Sequence, residues 1–189
     1  MILLCLFGCG CGAGKSDDPG RAARAPFQQM SGCEMEADIV WNDGMGERNF
    51  TLRCAYTPEG VSTVEILAPE EAAGVRASVD GQTMQLLYDG VCLPVVPAAG
   101  QISPAGCLPQ LMEALREGWL LEENREKLDG TACLRLGLDR TEADGKKAFF
   151  GIWLDEKSGI PCYAEISVNK EIILRAEFTK FEFRDILKS

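Results

Sequence analysis

Apolar and polar residues alternate along most of the chain. From Cys33 to Asn42 the odd positions Cys33, Met35, Ala37, Ile39 and Trp41 are apolar, with Glu34, Glu36 and Asp38 between them. A period of two places one side of an extended strand on a core and the other in water. Asn42-Asp43-Gly44-Met45-Gly46 is a turn cluster. The return run puts Phe50, Leu52, Cys54 and Tyr56 on one face, and Thr51, Arg53 and Thr57 on the other. The two runs read as a hairpin. The pattern continues through Val61–Ala68, which Pro69 ends, and through Val75–Val79 and Met84–Tyr88. Asp80-Gly81 and Asp89-Gly90 supply hairpin turns. Val91–Val96 holds Pro94, which confines it to a sheet edge. Thr131–Leu138, Lys147–Leu154, Cys162–Val168 and Ile172–Phe183 complete nine or ten short strands.

Two stretches read as helix. Arg21–Ser31 predicts a short one, interrupted at Pro26. The strong one is mid-chain: Ser103 can cap it, Pro104 suits its first turn and Gly118 can stop it. Leu108, Leu111, Met112, Leu115 and Trp119 fall at helical spacing. Many hairpin-linked strands with one mid-chain helix argue against alternating βαβ units. The fold class predicted is α+β, mostly β: an antiparallel sheet partly covered by helix.

The amino terminus has a different character. Met1 to Gly8 is apolar and runs into Cys9, and Gly10 to Gly20 is a polar, glycine-rich tether. Leu6-Phe7-Gly8-Cys9 resembles the bacterial lipobox, which implies a lipid anchor on Cys9 and cleavage before it. The apolar tract is short for a signal core and has no Lys or Arg before it. The true start is therefore expected upstream, with residues 1–20 a truncated lipoprotein signal and tether, and residues 21–189 one folded domain. This reading implies an extracytoplasmic protein attached to the membrane by lipid.

The order of elements resembles the LolA/LolB/LppX-like lipoprotein carriers. The features that carry the likeness are an amino-terminal helix, a strand meander, Pro69 followed by Gly74-Val75, Tyr88-Asp89-Gly90 and the mid-chain helix. The most specific is the run from Trp153 to Pro161 (Trp…Asp…Gly-x-Pro) before Ala164-Glu165-Ile166. Lipoproteins of this type from spore-forming clostridia, one of them needed for germination, are similar in size and tethering. The resemblance implies a curved half-barrel with helices over an apolar concave face that, in carrier members, takes acyl chains.

Composition narrows the chemistry. The 189 residues carry a net charge of −10, and an acidic surface disfavours nucleic acid. There is no histidine, so the commonest general base and metal ligand are missing. Glu34/Glu36 and Glu70/Glu71 read as solvated surface rather than a glycosidase pair. Gly10 to Ser16 lacks the spacing of a phosphate loop. Nothing calls for a catalytic residue, a metal or a cofactor. Apart from Cys5, Cys9 and Cys11, six cysteines remain: Cys33, Cys54, Cys92, Cys107, Cys133 and Cys162. Buried free thiols, or one or two disulfides in an exported protein, both fit.

The remaining candidate site is the large apolar face. Trp41, Phe50, Leu52, Tyr56, Met84, Leu86, Phe150, Ile152, Ile166 and Phe178 are expected on one concave surface, as ligand-binding residues or as a filled core. The functional expectation is a non-enzymatic, membrane-tethered binder or carrier of a lipid or acyl chain. The alternative is a protein-interaction module that scaffolds or regulates an envelope partner.

Overall fold

The computed structural model describes residues 18–81, 83–95, 102–141 and 147–186. Its elements, in chain order, are α1 (Pro19–Gln29), β1 (Met30–Asn42), β2 (Glu47–Tyr56), β3 (Ser62–Ala68), β4 (Arg76–Asp80), β5 (Thr83–Tyr88) and β6 (Val91–Val95). Then follow α2 (Pro104–Glu117), β7 (Trp119–Leu128), β8 (Thr131–Thr141), β9 (Lys147–Asp155), β10 (Pro161–Val168) and β11 (Glu171–Ile186). The strands form one sheet in the order β6-β5-β4-β3-β2-β1-β11-β10-β9-β8-β7. Neighbours are antiparallel throughout. The sheet is a curved half-barrel, left open between its edge strands β6 and β7, with both helices packed against its inner side.

The alternation read from the sequence sets the register. Opposite β1, Leu52 pairs with Ala37, Cys54 with Met35 and Tyr56 with Cys33. On its other side β11 places Phe178, Phe181 and Phe183 beside Ala37, Met35 and Cys33, with a bulge between Glu36 and Ala37. Met35, Ala37, Ile39, Leu52, Cys54 and Tyr56 are all buried. The opposite, convex face carries a charge ladder: Arg53 bonds Glu36 at 2.9 Å and lies 3.5 Å from Glu65, and Arg76 lies 3.3 Å from Glu65. Glu70 and Glu71 are exposed in a single 3-10 turn.

Three expectations are corrected. Among the described residues the sheet has eleven strands, because Trp119–Leu128 is a strand that the sequence pattern hides. Its run Leu120 to Leu128 is rich in Leu, Glu, Arg and Lys, which favour helix in isolation. As an edge strand it profits from those same charges, which discourage pairing with another chain. Trp119 accordingly leaves the helical stripe and opens β7, 76% exposed. Pro26 does not interrupt α1, which runs through it. The helix is held from outside by buried Phe27 and Arg24, and such tertiary packing outweighs the lost backbone bond.

Candidate functional site: the concave face

Helix α2 is the centre of the concave face. Cys107, Leu108, Leu111, Met112, Ala114 and Leu115 are sealed from water. The helix packs on β2, β3 and β4 to one side, on β8 and β9 to the other, and on α1. Gly118 ends it, with its N–H donating to the Ala114 carbonyl at 2.8 Å.

Polar contacts fix its position. The Tyr56 hydroxyl of β2 donates to the Glu113 carboxylate of α2, and Arg116 Nη1 donates to the Tyr56 oxygen at 3.2 Å. Burial, reinforced by Glu113, pushes the Tyr56 phenol above its ordinary range, so it remains a donor at any physiological pH. Tyr56 therefore clasps the helix to the sheet.

The ten residues expected on the concave surface do share it, in two environments. Leu52, Tyr56, Met84, Phe150, Ile152 and Ile166 are buried in the core beneath α2. Trp41, Phe50, Leu86 and Phe178 are half-buried around it. Trp41 and Phe50 lie with ring centroids 6.5 Å apart, and Phe178 joins Phe181, Phe183 and Phe27 in an aromatic cluster. Across β8, β9 and β10 the inner row reads Leu138–Phe150–Ile166 and Leu136–Ile152–Ala164, filled by side chains.

Cover is uneven. One row crosses the sheet from Cys54 through Val64, Ala77 and Leu86 to Leu93. Cys54, Val64 and Ala77 are buried, Leu86 is half-buried and Leu93 is 58% exposed. Tyr88 and Val91, paired across the β5–β6 hairpin on the same face, are exposed as well. Leu86, Tyr88, Val91 and Leu93 thus form an apolar extension of the concave face. The sequence pattern contained Leu86 and Tyr88 in phase. It gave no sign that α2 leaves them open, because cover is a property of helix placement.

The motif from Trp153 to Pro161 serves the convex side. Trp153 Nε1 donates to Glu126, the Trp153 ring meets Tyr163 edge-on at 5.2 Å, and Arg135 lies 5.1 Å over it. Gly137 and Gly151, paired on β8 and β9, leave room for this layer. A Cβ on Gly137 would stand 2.9 Å from the Phe149 ring and closer still to the Glu122 side chain. Asp155 Oδ1 accepts from the Lys157 and Ser158 N–H groups at 3.0 and 2.7 Å and from the Ser158 hydroxyl at 2.8 Å, making the turn to Gly159.

Burial pushes the thiols of Cys33 and Cys107 up to about 12, and raises that of Cys54 well above its usual value. They are protonated fillers of the core, not nucleophiles. Among the described residues no cluster of His, Cys, Asp or Glu is placed to hold a metal ion. No helix among them is long and apolar enough to cross a membrane. Cys9 and residues 1–17 lie outside the described residues.

No family model and no curated protein matches the chain. Solved structures do. An outer membrane lipoprotein-sorting protein domain from Vibrio parahaemolyticus is similar with a TM-score of 0.53 and 10% identity, over 90% of this chain and 93% of that one. A DUF1329 family protein from Desulfovibrio piger gives 0.52 and 12%, over 90% and 94%. A LolA superfamily protein from Nitrosomonas europaea gives 0.47 and 12%, over 88% and 94%. The likeness is one of architecture: the chain shares the overall fold of the Vibrio parahaemolyticus and Desulfovibrio piger structures.

Proposed function

We propose that this chain is an extracytoplasmic lipoprotein, tethered through Cys9, that binds a lipid or acyl chain on its concave face and performs no catalysis. The observation that carries the reading is the graded loss of cover along the row from Cys54 to Leu93. Leu86, Tyr88, Val91 and Leu93 are apolar surface that water solvates poorly. An acyl chain laid on it gains roughly 0.8 kcal/mol per buried CH₂. Leu52, Met84, Phe150, Ile152 and Ile166 form the core floor beneath α2, while Trp41, Phe50 and Phe178 flank it. Leu86 is where the open and covered stretches meet.

The test is titration of the folded body domain with a fluorescent fatty acid. Micromolar binding is expected. Leu86→Glu should abolish it by placing a charge against the chain. Leu93→Glu, at an exposed position, should weaken it without affecting the fold. A wild-type domain that is folded by circular dichroism and binds neither fatty acid nor phospholipid would defeat the carrier reading. The protein-interaction module would then lead. The edge position of β6 favours it: an edge strand offers backbone groups to an added strand, beside Val91 and Leu93.

A further inference from the structure

Two cysteines outside the concave face stand together. Cys133 of β8 and Cys162 of β10 have their Sγ atoms 3.6 Å apart, although they belong to strands separated by β9. The local geometry explains how they meet. The β9–β10 ladder has a bulge between Pro161 and Tyr163, so Cys162 is the extra residue, unpaired in the register. Cys133 pairs with Asp155, the last residue of β9, where the chain leaves the sheet into the turn ending at Pro161. Besides its partner, each sulfur has a weak contact with a backbone carbonyl: Cys133 Sγ lies 3.5 Å from Thr131 O, and Cys162 Sγ 3.4 Å from Trp153 O.

We propose that Cys133 and Cys162 are a disulfide pair, oxidised by a small-molecule or protein disulfide, that staples β8 to β10 across the end of β9. The sulfurs must close from 3.6 Å to the roughly 2.05 Å of a disulfide. A residue in a bulge accommodates that shift more readily than one held in a regular ladder. Cys133 is fully buried and Cys162 half-buried, which sets the order of events. The Cys162 thiolate attacks one sulfur of the oxidant, and the first thiol leaves. The Cys133 thiolate then attacks Cys162 Sγ, and the second thiol leaves. Two protein thiols and one external disulfide become one protein disulfide and two external thiols. Burial pushes the Cys162 thiol up to about 12. Exchange on the folded protein is therefore slow, and the bond forms fastest while the chain folds.

An oxidising surrounding follows from the extracytoplasmic reading, but the pairing can be tested apart from it. The full chain is refolded from the reduced state in mixed reduced and oxidised glutathione, blocked with N-ethylmaleimide and digested with trypsin. The expected product joins Leu128–Arg135 to Ser158–Lys170, two hydrogens lighter than the separate peptides. Oxidised wild-type protein should melt about 5–15 °C above its reduced form, as a loop of this length implies. Cys133→Ser and Cys162→Ser should each melt at one temperature in both conditions. Folded, oxidised wild-type protein in which both cysteines carry the blocking group, or in which either is joined to another cysteine, would overturn the proposal whatever the compartment of the protein.

Discussion

The guanidinium of Arg24 in α1 donates its Nε–H to the Leu115 carbonyl in α2 at 2.6 Å. The same side chain reaches the Arg116 and Gly118 carbonyls at 3.1 and 2.8 Å, and Gln28 adds a second donor to Arg116. The last carbonyls of a helix have no partner within it. Here another helix supplies the donors, with a positive charge where the helix dipole favours one. The other end of α1 is tied in turn, by the Gly20 N–H donating to Glu123 of β7 at 2.6 Å. The two helices and the β7 edge are thereby one locked unit.

Removing the lock should be costly. Arg24→Leu leaves buried carbonyls without donors and should lower unfolding free energy by about 2–4 kcal/mol in a urea titration. Arg24→Lys should recover only part of this, since an ammonium cannot reproduce the planar fork.

Leu111 is fully buried on the face α2 turns to the sheet. Leu111→Ala should cost about 2–5 kcal/mol by the same measurement. A loss near zero would mean that α2 is a loose lid and not part of the core.

Trp119 offers the contrast. At the start of an edge strand and largely exposed, it should tolerate Trp119→Ala within about 0.5 kcal/mol. A loss as large as that of Leu111 would restore it to the helical stripe.

Asp155 gives a pH dependence. Hydrogen bonds from Ser158, with a further one from Lys157, hold its carboxyl below the ordinary carboxylate value. Its contribution is therefore present above the unfolded-state value of about 3.9 and is lost as pH falls through the lower folded value. Asp155→Asn should lower the melting temperature at pH 7. The gap to wild type should shrink steadily below pH 4 in a thermal melt series.

The anchor is tested separately. With an export signal in place, Cys9→Ser should move the protein from the membrane pellet to the soluble fraction. Retention in the pellet would refute lipid attachment at that residue.

Strands with one wet face were legible in the sequence because burial forces a period of two, as Cys33 to Trp41 and Phe50 to Tyr56 show. The edge placement of β6 was legible through Pro94, which removes a backbone donor. β7 was not, because its helix-forming residues describe local preference, while its strand state is imposed by pairing with β8. The alternation placed the ten candidate residues in phase, and they share one face of the sheet. Which of them face open space depends on where α2 lies, and periodicity carries no such information. Nor did any spacing rule bring Cys133 to Cys162, since a bulge and a strand end create that meeting.

The pairing of β1 with β11, from Met30 opposite Ile186 to Trp41 opposite Leu174, has a consequence for the order of assembly. β1 emerges first among these strands and β11 last, yet they are neighbours in the middle of the sheet. Until β11 arrives, β1 has a bare edge, and the ribbon from β7 to β10 has no seat beside it. Two meanders must wait for one late, long-range match, the kind of contact that slows folding and prolongs exposure to sticking. A chain stopped before Glu171 would keep almost every hairpin and still have no ladder between its two ribbons, which only the helices would bridge. The strand made last is the keystone of the arch.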